Sequence, residues 1–169
     1  MEAMVATPRA QVSEGSLRSA FEEHYVHLVR LLAFLTGRRE AAEDLAQEAF
    51  VRLAPKIDHL SADEVGPYVR RIAINLWKNH RRRLAMEFRA RIREGPWPVD
   101  ASQSVPSRVD MARAIRRLPA RQRACVVLRF YEDMPEAAVA ETLGCSVGSV
   151  KTHTSRGLAR LRKELGHED

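Results

Sequence analysis

Cysteine is almost absent from this chain. Two occur in 169 residues, Cys125 and Cys145, with no CxxC and no ligand spacing. That excludes a disulfide scaffold and makes a reducing, cytoplasmic setting the default. Aromatic residues make up only 6%, so the cores must be aliphatic, as in small helical bundles. No apolar run approaches the roughly 18 residues that a bilayer span needs. The first 16 residues lack the apolar stretch of a signal peptide. No membrane role is therefore expected. The signatures GxxxxGK, GxGxxG and HExxH are all missing. We therefore expect no enzyme, no catalytic residue, no cofactor and no small-molecule substrate. His24 and His27 stand three apart on a helix, but no third ligand is spaced to join them. Packing or solvent exposure is the simpler reading, with no metal. Cys125 lies in an apolar run and reads as core; Cys145 lies in a turn. A redox role for either stays open.

Charge and helix-forming pattern are what the chain does have. Hydrophobic residues are 45% and charged residues 30%, a globular composition. The length suits one ordinary domain or two small ones. Net charge is +6 and the isoelectric point about 9.9, which favours a polyanionic partner. Arginine outnumbers lysine and suits bidentate phosphate and guanine contacts. A GC-rich genome would enrich arginine as well, so charge alone decides nothing.

The fold class reads as all-α. Leu17, Phe21, Tyr25, Leu28, Leu32 and Leu35 recur at three-to-four spacing and form one buried stripe. Thr36-Gly37 stops that helix. A second helix is expected over residues 40–53, with Ala42, Leu45, Ala49 and Leu53 inward and Pro55 ending it. A third runs from Val65 past Arg83, with Val69, Ile72, Ala73 and Leu76 inward. Residues 94–107 read EGPWPVDASQSVPS, with three prolines, one glycine and three serines. That composition breaks helices and supplies no core. The expected organisation is a disordered tail over 1–15, a helical domain over 16–93, a flexible linker over 94–107 and a second helical domain over 108–169. The second domain should hold helices near 108–117, 121–131, 135–143 and 147–165. Strand signals are lacking.

The last two helices have the layout of a helix-turn-helix. A short helix (PEAAVAETL) meets Gly144-Cys145-Ser146, and a longer one (VGSVKTHTSRGLARLRKEL) follows. Gly144 can take the left-handed conformation that ends the first helix, and Ser146 can cap the second. Val139, Leu143, Val147, Val150, Leu158 and Leu161 would bury the junction. Ser149, Lys151, Thr152, His153, Ser155, Arg156 and Arg160 would form the other face. Residues 147–163 carry five Lys or Arg and no Asp or Glu. A merely solvated helix mixes signs, so the acid-free face points to the DNA major groove.

The middle helices are opposite in sign. Residues 38–64 hold seven acids against four bases, and residues 68–93 hold nine bases against one acid. Segregation of this kind suggests two partners. Glu43, Asp44, Gln47 and Glu48 share one side of the second helix and could meet a basic protein surface. Arg70, Arg71, Lys78, Arg81, Arg82 and Arg83 would meet phosphates. Trp77 and His80 lie among them. An aromatic there could stack on an unpaired base or simply be half-buried core, and spacing alone leaves both readings open.

These residues carry a likeness. AAEDLAQEAFVRL (41–53), YVRRIAINLWKNHRRR (68–83), and LPARQRACVVLRFYEDM (118–134) followed by LGCSVGSVKTHTSRGLARLR (143–162) resemble extracytoplasmic-function sigma factors of the sigma-70 family. The three segments occur in the family's order around a linker and span residues 21–165. Tyr68 and the pair Arg70-Arg71 look most like an actinobacterial branch. The resemblance implies an alternative sigma factor that binds core RNA polymerase and directs promoter-specific initiation. It implies that Glu43, Asp44, Gln47 and Glu48 contact the polymerase clamp. It implies that Asn75 receives a flipped minus-ten base, aided by Arg70, Arg71, Trp77, Lys78, Arg81 and Arg82. A carboxamide suits that task because it both donates to and accepts from a base edge. Ser149, Lys151, Thr152, His153, Ser155 and Arg156 would face the minus-thirty-five element, and an anti-sigma protein would be a further partner.

Two positions depart from the family pattern. His153 stands where arginine is frequent, and Gly157 stands where alanine is frequent. Glycine there costs about 1 kcal/mol of helix propensity. A different helix-turn-helix regulator, outside the polymerase, is the alternative reading. It would account for the chain from Pro135 onward but not for the acidic helix or RIAIN followed by KNHRRR. A purely protein-binding helical module would account for the acidic helix alone.

Overall fold

A computed structural model describes residues 8–91 and 108–166, with side chains over 16–87 and 111–166. Every element among the described residues is helical. The segment expected as a linker, 94–107, lies outside them, as do residues 1–7 of the expected tail. The remainder of that tail departs from expectation, because helix α1 spans Pro8–Thr36. Pro8 occupies the first helical position, where its missing N–H is no loss, and Arg9, Ala10 and Gln11 favour helix. The chain divides into two compact units, one of residues up to 33 and 38–77, the other of 34–37 and from 78 onward.

In the first unit, α1 buries Leu28, Leu31 and Leu32. The outer end of its expected stripe is less covered. Phe21 is 40% exposed, and its ring stacks on Tyr25 at 4.2 Å and meets the edge of Phe50 at 5.0 Å. These rings cover one another where the aliphatic core gives out. Helix α2 (Arg39–Leu53) turns Ala42, Ala46 and Ala49 inward, fully buried. Three alanines one turn apart let its backbone approach closely. Pro55 then sits in the first turn of a short 3-10 segment (Ala54–His59) that buries Ile57.

Helix α3 (Ala62–Arg91) starts three residues before the expected Val65. Pro67 lies inside it and obscures the start in a sequence pattern. Ser61 and Glu64 supply the reason. The Glu64 carboxylate accepts from the Ser61 backbone N–H at 2.9 Å and from its hydroxyl at 2.7 Å. The carboxylate thus closes back over the N–H that precedes the helix, and the two bonds from Ser61 hold the Glu64 carboxyl below the usual glutamate range. Val69, Ala73 and Leu76 are buried as expected, Val65 is buried as well, and Ile72 is only half-buried. Trp77 is 2% exposed, which decides its two readings. It is core, and base stacking by Trp77 is ruled out in this conformation.

The second unit contains α4 (Arg108–Arg117), α5 (Ala120–Val126), α6 (Glu136–Leu143) and α7 (Val147–Glu164), with one π turn (Val127–Tyr131) continuing α5. Helices α4, α5 and α6 all pack on α7. Ala114, Leu118, Val126 and Leu161 form one cluster, flanked by Ile115, Leu158 and Leu165. Cys125 is buried, and desolvation, with Cys145 nearby, pushes its thiol up to about 11. It is an inert core residue at neutral pH.

Gly157 is buried at the crossing of α7 over α5. A Cβ added there would lie 2.7 Å from Cγ2 of Val126 and 3.5 Å from the backbone oxygen of Gln122. The helix-propensity loss at Gly157 is therefore exchanged for a close helix–helix approach. A β-branched valine has one strongly preferred rotamer in a helix, so Val126 cannot swing aside. Gly157→Ala should destabilise the second unit by about 1–3 kcal/mol from overpacking, more than the roughly 1 kcal/mol gained in propensity. Urea unfolding of Gly157→Ala, Val126→Ala and the double variant checks this. Steric coupling makes the double variant more stable than the sum of the single effects.

Candidate nucleic-acid interface

The turn between α6 and α7 is built by three residues. Gly144 takes φ 64° and ψ 46°, left-handed backbone in which glycine avoids the Cβ penalty. The Cys145 N–H donates to the Ala140 carbonyl at 3.0 Å and the Gly144 N–H to the Glu141 carbonyl at 3.3 Å. This paired closure satisfies the last carbonyls of α6. Ser146 is extended, and its hydroxyl accepts from the Ser149 N–H at 3.1 Å. One helix is closed and the next opened within three residues, so the direction of α7 is tightly constrained.

The structure sorts the expected α7 residues into two groups. Lys151, Thr152, Ser155 and Arg156 are exposed along one side. Thr152 also donates its hydroxyl back to the Gly148 carbonyl at 2.9 Å. Ser149 and His153 are half-buried on another side, and Nδ1 of His153 is enclosed without a hydrogen-bond partner. Their placement on the exposed face is corrected, because a step of four residues carries them together around the helix towards α5 and α6. Val147 is a second correction. It was expected to bury the junction, yet it is 39% exposed, while Val150 is fully buried. The carboxylate of Glu136, at the start of α6, lies 3.7 Å from the Lys151 ammonium. Sequence spacing gave no sign of that pair, since the turn separates its members.

On α3 the helical period places Arg71, Asn75, Lys78 and Arg82 on one stripe. Arg71, Asn75 and Arg82 are exposed and Lys78 is half-buried. Arg70 and Arg81 lie about a quarter-turn away, half-buried and on the side of Ile74 and Trp77. The seven residues expected to act together are thus four in a row and three on another face.

On α2, Asp44, Gln47 and Glu48 are exposed along one stripe. Val51, 66% exposed, continues it one turn on, an apolar member of a face that charge alone does not reveal. Glu43 faces aside and binds Arg39 at 2.7 Å, and Glu48 binds Arg52 at 2.8 Å. Both pairs are solvent-exposed and therefore weak, so the carboxylates can exchange partners at little cost.

Residues 20–86 match sigma-70 region 2, and residues 108–161 match sigma-70 region 4. The chain is 31% identical to the ECF RNA polymerase sigma factor SigM of Mycobacterium tuberculosis, over 87% of this chain and 76% of that protein. It belongs to the sigma-70 family, among the extracytoplasmic-function sigma factors. It is 28% identical to SigW of Bacillus subtilis over 98% of both chains, and 33% identical to the sigma-E factor of Streptomyces coelicolor over 76% of this chain and 73% of that one. These relatives span more than one bacterial branch and do not single out the actinobacterial one. The fold resembles that of the sigma factor RpoE of Bartonella quintana, solved with the anti-sigma factor NepR, at TM-score 0.63 and 20% identity over 97% of this chain and 100% of that one. As a sigma factor the chain directs promoter-specific transcription initiation.

Region 2 thus comprises α1 to α3, and region 4 comprises α4 to α7 with its capped turn. Removing the Ser146 hydroxyl leaves a first-turn N–H of α7 without its partner. Ser146→Ala should lower the stability of region 4 by about 1 kcal/mol, and Ser146→Asp should retain most of it. Thermal unfolding followed by circular dichroism distinguishes the two.

Proposed function

We propose that each region engages promoter DNA through one exposed helical face, and that region 2 also docks on core RNA polymerase through α2. Asp44, Gln47 and Glu48 would meet the polymerase, with Glu43 contributing once released from Arg39. Arg71, Lys78 and Arg82 would hold minus-ten phosphates while Asn75, exposed between them, receives an extruded base. Arg70 and Arg81 would act from the flank. Lys151, Thr152, Ser155 and Arg156 would read the minus-thirty-five element. The carrying observation is the row of Arg71, Asn75, Lys78 and Arg82. An exposed carboxamide between cations is what a base edge beside phosphates requires.

The same physics accounts for an inhibitor. Faces exposed for DNA and polymerase are open to an anti-sigma protein that would cover them, and the RpoE structure holds a sigma factor in complex with an anti-sigma factor. No helix among the described residues is long and apolar enough to cross a membrane, which fits a cytoplasmic polymerase subunit. Catalysis would belong to the polymerase. The rival regulator reading leaves the region 2 match over residues 20–86 without explanation.

The decisive experiment adds the purified chain to sigma-free core polymerase and sequences transcripts from genomic DNA of the source organism. Discrete start sites sharing two upstream elements are expected, and Asn75→Ala should weaken them roughly tenfold, the scale of one lost base contact. DNA binding without start sites would favour a regulator outside the polymerase.

A further inference from the structure

Resting on that reading of region 4, we infer that Val147 reads a thymine methyl in the minus-thirty-five element. Val147 is the first residue of α7 and is 39% exposed, whereas the next apolar residue of the helix, Val150, is fully buried. In a helix-turn-helix the first residues of the recognition helix are those that reach base edges. Ser146 fixes where that first turn starts, and Val147 stands one turn before exposed Lys151 on the same side. Gly148 follows, and an added Cβ there would meet only the Ser146 hydroxyl, at 4.0 Å. The valine therefore has an unobstructed flank.

The partner follows from chemistry. Residues 147–163 hold five bases and no acid, so the surface around Val147 suits DNA and is a poor match for an acid-lacking apolar protein groove. Within the major groove the base edges present donors, acceptors and one apolar group, the 5-methyl of thymine. An exposed valine can gain from that group alone. Its two methyls are held in one dominant rotamer, so little entropy is lost when they make contact. Lys151, a turn further along, can take an adjacent acceptor or phosphate by exchanging its exposed pair with Glu136 for DNA. Specificity would then combine an apolar and a polar reading on successive base pairs.

The test uses the holoenzyme reconstituted from the full chain and core polymerase on a promoter it initiates from. Each thymine of the upstream element, on either strand, is replaced singly by deoxyuridine, which lacks only the methyl. One position should lower initiation by the wild-type protein about fourfold, the worth of one buried methyl-sized group. Val147→Ala should show the same loss on the thymine template and no further loss with deoxyuridine at that position. Its melting temperature should match the wild type, which separates lost contact from lost fold. The inference is overturned if no thymine responds, or if Val147→Ala still responds to the substitution. A wild-type protein that initiates nowhere, even on unsubstituted templates, would instead remove the sigma reading itself, and the inference with it.

Discussion

The bedding of α7 on α5 is the contact on which region 4 depends. A recognition helix is useful only if one side is held rigidly while the other stays bare. Gly157 achieves the first by removing its side chain at the crossing, where Val126 already fills the space. The approach brings Val150 and Leu161 into the core as well. Close packing also explains why His153 is half-buried: a helix seated this deep leaves a narrower exposed strip. The strip that remains contains Lys151, Thr152, Ser155 and Arg156 in succession. Depth of packing thus selects which side chains of α7 stay exposed.

Region 2 meets a related constraint with different means. Its core is built on leucines of α1 and alanines of α2, and it has one buried tryptophan on α3. Alanines fill the inner side of α2 without bulk, so its outer face carries the acidic and polar groups, with Val51 as an exposed apolar neighbour. Burying Trp77 has the corresponding effect on α3. The ring anchors one side, which turns Arg71, Asn75 and Arg82 outwards with Lys78 half-buried among them. Surface ion pairs such as Arg39 with Glu43 contribute little to stability. They temper self-repulsion in the free chain and can be exchanged for partner charges on binding.

Much of this was readable from spacing. The helices, their order and the turn at Gly144–Ser146 follow from apolar periodicity and from residues whose backbone or capping chemistry is restrictive. What spacing missed was set by tertiary context. Periodicity put Val147 in the core because it counts faces and does not know where the neighbouring helix ends. It put His153 outside for the same reason. Trp77 could not be assigned, because an aromatic among bases suits either a stacking site or a core, and only burial separates them. Gly157 looked like a loss of helix propensity until the opposing valine gave it a purpose. The start of α3 was obscured by Pro67, although Ser61 and Glu64 already formed a legible cap.

The arrangement has a consequence for affinity. Each exposed face offers only a handful of charges, and each such contact is weakened by salt as counterions are released. A small DNA-binding module buries less surface than a dimer or a multi-part reader, which limits what either region gains alone. On one chain, engagement of the first face raises the effective concentration of the second at its own element, so two weak readers combine into one selective one. Weakness in each part is then useful. A site carrying only one element is released readily, and a site carrying both is held. An inhibitor that covers either face removes the combination without having to outcompete a strong contact.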